Sequence, residues 1–174
     1  MTTSEPEPER LIVELLTRDH DRAGFASGVA PLDRYLKDQA LQDKRRRISV
    51  PYVLLFEGQR TILGYYTLSN ATVHLDTLPE RLARRLPRYP NLPATLIGRL
   101  AVDLRYRGDG LGSALLLNAL RRAAATADEV ASLAVIVNAK DDQAAAFYRH
   151  FGFKPFADDP NRLFLTMAEI KAIP

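Results

Sequence analysis

Apolar positions along the chain switch repeatedly between the two-residue period of a strand and the 3.6-residue period of a helix. Residues 11–16 form a short apolar run of strand length. Pro31 then opens a helix at its first position, where a missing N–H costs nothing. Leu32, Tyr35, Leu36, Gln39, Ala40 and Asp43 carry the helical period into the basic run 44–47, a favourable end for the helix dipole. β-Rich runs at 52–56 and 61–68, joined around Gly58-Gln59, predict a hairpin whose second arm continues towards His74. A short basic helix is expected at 78–86, stopped by Pro87 and Pro90, then a strand at 95–102 and a long alanine- and leucine-rich helix at 111–127. The continuous apolar run 133–137 predicts a strand buried on both faces. A helix at 141–150 and two closing strands at 153–156 and 163–167 complete the pattern. Strands alternating with helices, with a hairpin at each end, predict an α/β (α+β) protein with a mixed sheet.

Composition bounds the chemistry. No repeat or linker interrupts residues 11–167, so one domain is expected over 10–174. An acidic lead-in at 1–9, without the apolar core of a signal peptide, is expected to be disordered. A chain of 174 residues, 47% of them hydrophobic, can bury its own core without a disulfide or metal staple. The chain has no cysteine, which excludes thiol catalysis and cysteine-type zinc sites. His20, His74 and His150 lie far apart, none with a second ligand at metal spacing, so no metal is expected. No apolar run approaches the roughly 18 residues of a membrane span. A cytoplasmic protein is the expectation.

The segment Arg105-Tyr106-Arg107-Gly108-Asp109-Gly110-Leu111-Gly112-Ser113 lies between a strand and a helix. Glycines at a helix start let backbone N–H groups approach an anion, and the helix dipole favours negative charge there. Arg107 adds a planar cation suited to phosphate. The plainer alternative is a tight turn with glycines for clearance. The spacing is neither a Walker loop nor a dinucleotide fingerprint. It does match the Q/R-x-x-G-x-G/A signature of the GNAT N-acetyltransferases, and Phe147-Tyr148-x-x-Phe151-Gly152-Phe153 follows at that family's spacing. The chain resembles this family over nearly its whole length.

The resemblance implies a mixed, mostly antiparallel sheet flanked by helices, with two central strands splayed apart, and acetyl-CoA as acyl donor. Arg107, Gly108, Gly110, Leu111, Gly112 and Ser113 correspond to its pyrophosphate cradle. Leu100, Ala101 and Val102 correspond to the strand end whose backbone grips the pantetheine arm and faces the developing oxyanion. Asn138 matches a position often polar in the family, though Asn also suits a strand-to-helix turn. Tyr148 matches the tyrosine aimed at the sulfur of the donor. Read without the family, it is a core aromatic on a helix with apolar positions at Ala144, Ala145, Phe147, Tyr148 and Phe151, and Phe147 and Phe151 read as core. No dedicated general base stands out. Asp103 could serve, or could cap the loop, and Glu57 falls near a solvated hairpin turn. An α-amine, titrating at about 7.7–8.0, tolerates that absence better than a lysine amine at about 10.4.

Charge is segregated along the chain. Residues 1–43 carry net −4, residues 44–107 net +8 and residues 108–174 net −1. The middle segment contains Lys44-Arg45-Arg46-Arg47 and Arg81, Arg84, Arg85 and Arg88. These runs read either as solvated, helix-ending charges or as contacts to a polyanionic acceptor. Gly64-Tyr65-Tyr66-Thr67-Leu68-Ser69, Leu86-Pro87-Arg88-Tyr89-Pro90 and Ile97-Gly98-Arg99-Leu100-Ala101-Val102-Asp103 resemble one branch of the family, the acetyltransferase toxins of bacterial toxin–antitoxin pairs. That branch implies acetylation of the α-amine of aminoacyl-tRNA, neutralisation by a ribbon-helix-helix antitoxin, and a homodimer. A GNAT enzyme for a small-molecule amine or protein N-terminus, and a coenzyme A-binding module without turnover, are the alternatives.

Overall fold

The computed structural model describes residues 9–174, so the lead-in expected at 1–9 lies, apart from Glu9, outside the described residues. Seven strands form: β1 (Leu11–Leu15), β2 (Val50–Phe56), β3 (Gly64–His74), β4 (Asn91–Val102), β5 (Ala134–Asn138), β6 (Lys154–Pro155) and β7 (Arg162–Thr166). They make one sheet in the order β1-β2-β3-β4-β5-β7-β6. β1 is antiparallel to β2 and β7 to both β5 and β6, while β4 and β5 are parallel. The helices are α1 (Ala30–Arg34), α2 (Ala40–Arg45), α3 (Glu80–Ala83), α4 (Leu111–Thr126), α5 (Asp142–His150) and α6 (Met167–Lys171). The expected mixed, mostly antiparallel sheet with flanking helices is therefore the fold. The β4–β5 ladder joins residues 95–97 to 135–137 only, whereas β4 itself runs on to Val102.

The chain divides into two compact units. One contains residues up to Tyr65 together with Leu100–Leu115, the other Tyr66–Arg99 and Leu116–Pro174. In the first, Leu16, Leu36, Val53, Ile62 and Tyr65 are fully buried. Phe25 meets the Tyr65 ring edge-on at 5.6 Å, Tyr35 stacks on it at 6.5 Å, and the Tyr65 hydroxyl donates to the Leu32 carbonyl at 2.6 Å. The single helix expected after Pro31 is broken by a π-helical stretch, Tyr35–Gln39, between α1 and α2. Asp43 is buried on the same face as Tyr35, Leu36 and Ala40. Its carboxylate accepts from the Tyr35 hydroxyl and the Gln39 amide, both at 2.8 Å, which satisfies the buried charge.

In the second unit, Val73, Leu92, Ala94, Ile136, Phe156 and Phe164 belong to one buried cluster. The first four residues of β5 are all buried, as a continuous apolar run requires. α3 is shorter than the helix expected at 78–86, because after Ala83 the chain continues only as turns, with Arg85 and Leu86 bonded back three residues. β4 starts four residues earlier than expected and includes Pro93. That residue lacks an N–H but still accepts from the Leu133 N–H at 2.8 Å. The last strand stops at Thr166, whose hydroxyl caps Glu169 and starts α6, a helix the apolar run did not announce. Among the described residues no helix is long and apolar enough to cross a membrane.

Candidate active site

In the first unit, β4 passes through a short 3-10 turn, Leu104–Tyr106, into the glycine loop and α4. Gly108 and Gly110 hold φ of +84° and +76°, and nothing lies within 4 Å of where a Cβ would sit on either. Their role is therefore backbone conformation rather than clearance, and the space above them is open. The first backbone bond of α4 runs from the Ala114 N–H to the Gly110 carbonyl at 3.1 Å. The amides of Leu111, Gly112 and Ser113 thus have no helical partner, as at any helix start. An open loop of positive-φ glycines leading into a 16-residue helix suits a pyrophosphate. Arg107 is exposed, and its guanidinium also reaches the Ser27 carbonyl at 3.4 Å.

Asp103 shapes this loop and does not fit the role of a free base. It is buried, accepting from the Ala26 N–H at 3.1 Å, the Arg105 N–H at 2.9 Å and the Arg105 guanidinium at 2.9 and 3.1 Å. Burial alone raises its pKa, but the bonds from Arg105 and Ala26 outweigh it and hold the carboxyl below its usual value of 3.8. A carboxylate whose folded pKa is depressed contributes stability that is complete above the unfolded pKa and fades as pH falls through the folded one. Asp103→Ala is expected to cost about 1–3 kcal/mol at neutral pH, because partners are left unsatisfied. Thermal melts from pH 7 down to pH 3 test this, since the variant's deficit should shrink at the acid end. Glu57 sits exposed in the hairpin turn, 3.9 Å from Arg10.

In the second unit, α5 carries Tyr148. The Asp141 side chain caps the helix by accepting from the Ala144 N–H at 2.8 Å. Arg149 and His150 lie in its last turn, complementing the dipole. Ala145 and Tyr148 form the inward face. Phe147 and Phe151, expected as core, are only half-buried and pack against each other edge-on at 5.3 Å. The Tyr148 ring is 8% exposed and lies 5.5 Å from the Phe153 ring. Burial pushes its phenol up to about 12, so the group stays protonated at neutral pH and keeps a proton to donate. Among the described residues its hydroxyl has no hydrogen-bond partner.

The remaining candidates fall as follows. Ala101 is buried and Leu100 and Val102 are half-buried, at the end of β4 beyond its ladder with β5. Asn138 is exposed at the last position of β5, in register with Arg162. Arg81 and Arg85 line one groove with Lys154, whereas Arg84 and Arg88 line another with Glu80 and Asp76. The helical turn thus sends this arginine set two ways, and Arg84 is paired with Glu80. Lys44, Arg45 and Arg47 line a groove of the first unit, joined there by Arg18 and Arg22, which single-residue spacing in the sequence did not reveal. Among the described residues no group of three or more His, Cys, Asp or Glu could hold a metal ion.

Residues 52–155 match the acetyltransferase (GNAT) domain family. Relatives include a tRNA-acetylating toxin of Mycobacterium tuberculosis, 37% identical over 153 residues that cover 88% of this chain and 90% of that protein. Another is a probable toxin TacT of Sinorhizobium fredii, 31% identical over 172 residues and 95% of each chain. Among solved structures, the toxin AtaT complexed with acetyl-methionyl-tRNAfMet superposes with a TM-score of 0.87 at 29% identity, over 93% of this chain and 98% of that one. A Tyr-to-Phe mutant of AtaT bound to the C-terminus of the antitoxin AtaR and acetyl-CoA gives 0.78 at 27% identity, over 94% and 97%. The chain belongs to the acetyltransferase (GNAT) family, in its branch of toxin acetyltransferases. It is an acetyl-CoA-dependent N-acetyltransferase, as the loop and tyrosine motifs imply.

Proposed function

We propose that the protein acetylates the α-amine of aminoacyl-tRNA and so blocks translation. The observation that carries this reading is its 37% identity, over most of both chains, to a tRNA-acetylating toxin. Acetyl-CoA supplies the acetyl group as a thioester. Arg107 and the loop amides around Gly108, Gly110, Leu111, Gly112 and Ser113 hold the pyrophosphate. The backbone of Leu100, Ala101 and Val102 holds the pantetheine arm and directs an N–H at the thioester oxygen, with Asn138 as a further polar contact. As the amine forms its bond to the acyl carbon and the C–S bond breaks, the Tyr148 hydroxyl gives its proton to the departing sulfur, and the proton the amine nitrogen sheds on becoming an amide returns through solvent to restore the phenol. With no cysteine in the chain, transfer passes directly from donor to amine rather than through a cysteinyl acyl-enzyme.

Asp103 is locked by four hydrogen bonds, so the amine has to arrive neutral. That requirement suits an α-amine, whose pKa of about 7.7–8.0 falls further beside an ester. The exposed arginines, Arg45 to Arg47 and Arg81, Arg84, Arg85 and Arg88, with Lys44, hold the RNA. The same reading places the protein in the cytoplasm, as a homodimer that a ribbon-helix-helix antitoxin neutralises. Acetyl-CoA consumption with charged tRNA, deacylated tRNA or a free amine as acceptor tests it. Turnover is expected with charged tRNA alone. With about six phosphate contacts, RNA affinity should fall on the order of 10³-fold between about 50 and 200 mM salt. Equal turnover on a free amine, insensitive to salt, would move the acceptor to a small molecule, and no turnover at all would leave a coenzyme A-binding module.

A further inference from the structure

The C-terminus of α2 and the segment before α1 wall a groove of about 630 Å³ in the first unit. Its lining sets Arg18, Arg22, Lys44, Arg45 and Arg47 against the single carboxylate of Asp38. Among the described residues none of these five cations lies within ion-pair distance of a carboxylate. Lys44 donates to the Leu16 carbonyl and Arg22 to the Lys37 carbonyl, both at 2.9 Å. Those neutral partners fix the two side chains and leave their charge uncompensated.

A basic run at a helix end is usually no more than a solvated dipole partner, but the backbone of Arg47 argues for more. It has φ +58°, and no other non-glycine among the described residues has positive φ. α2 ends in a Schellman turn, with the Ile48 N–H bonded to the Asp43 carbonyl at 2.9 Å and the Arg47 N–H to the Lys44 carbonyl at 3.1 Å. Arg47 occupies the left-handed position of that turn, where glycine fits without strain and a Cβ does not. The chain therefore keeps a strained arginine at a place that favours glycine, and its side chain lines the cationic groove. Strain held in this way marks a side chain with work to do. Four of the five cations are guanidinium groups, whose planar donors match phosphate oxygens in pairs.

We propose that this groove binds the phosphate backbone of the acceptor RNA, with Arg18 and Arg22 as phosphate ligands beside Arg45 and Arg47. The inference rests on the aminoacyl-tRNA reading and extends the acceptor surface to residues outside the basic run. The test uses deacylated tRNA as a binding probe across a salt series, separately from transfer to charged tRNA. Arg18→Gln and Arg47→Gly are each expected to weaken tRNA binding about tenfold and lower the salt slope by about one. Acetyl-CoA affinity should not move. Arg47→Gly should also raise Tm by about 2–4 °C, because the left-handed strain is released. Affinity and stability then shift in opposite directions, which loss of folding cannot mimic. Unchanged tRNA affinity and slope in both folded variants would overturn the groove while leaving the transfer assay to judge the reaction. Groove-dependent binding without transfer to charged tRNA would overturn the reaction and keep the groove.

Discussion

Replacing Tyr148 by phenylalanine yields a protein that folds, binds acetyl-CoA and transfers acetyl groups on the order of 10²–10⁴ times more slowly. The expectation follows from what the hydroxyl does not do in the fold. It has no hydrogen-bond partner among the described residues, so its removal breaks no internal contact. The ring stays packed against Phe147 and Phe153. What is lost is the donor proposed for the departing sulfur, so kcat is expected to fall while acetyl-CoA affinity holds. A pH series sharpens the assignment. Burial pushes the phenol up to about 12, so the wild-type rate should show no tyrosine limb near the ordinary 10. The proton is also a stability term. The folded state keeps it where the unfolded chain has begun to lose it, so stability is complete below 10 and declines as pH rises towards 12. The phenylalanine variant should resist alkali across that window. Full turnover by Tyr148→Phe would sink the proton-donor role.

Gly64→Ala carries the largest expected cost in stability. A Cβ at Gly64 would stand 2.6 Å from the Leu115 Cδ1 and 2.8 Å from the Ala101 carbonyl oxygen. Leu115 can change rotamer, but its side chain is fully buried and its room is limited. The carbonyl is main chain and moves only with β4. Overpacking of this kind costs about 3 kcal/mol, and a loss of about 6–12 °C in Tm follows for a chain of this size. The displaced segment is the one proposed to hold the pantetheine arm, so acetyl-CoA affinity should drop in the same variant. Calorimetry and acetyl-CoA titration measure both, and an unaltered Tm would show that β4 yields more easily than its geometry implies.

The parts of this protein governed by local rules were legible in its sequence. A strand, glycines and a helix start in succession announced the turn from β4 into α4, and the apolar face of α5 announced the element that carries Tyr148. The misses have physical causes. The π-helical stretch Tyr35–Gln39 keeps residues 32–43 helical while widening one turn, and the spacing of apolar positions does not distinguish that turn from an α-helical one. α6 begins because the Thr166 hydroxyl turns back to cap Glu169, although the preceding run reads as a strand. β4 begins before residue 95 and includes Pro93, which a strand tolerates where its carbonyl still has a donor. Arg18 and Arg22 were invisible as members of a cationic groove because they stand far from the run at 44–47. The role of Asp103 was open in the sequence, and its four hydrogen bonds settle it as a loop clamp.

The glycines of this chain answer to two different geometries, and the difference bears on how the loop could be rebuilt chemically. Gly64 is a matter of volume, since the Cβ of alanine would meet both Leu115 and the Ala101 carbonyl. Gly108 and Gly110 are a matter of chirality alone, since their positive φ faces open space. A mirror-image residue prefers that region of backbone space as an ordinary residue prefers its opposite. D-Alanine introduced at Gly110 by segment ligation would therefore keep the loop's shape while stiffening it, and L-alanine would strain it.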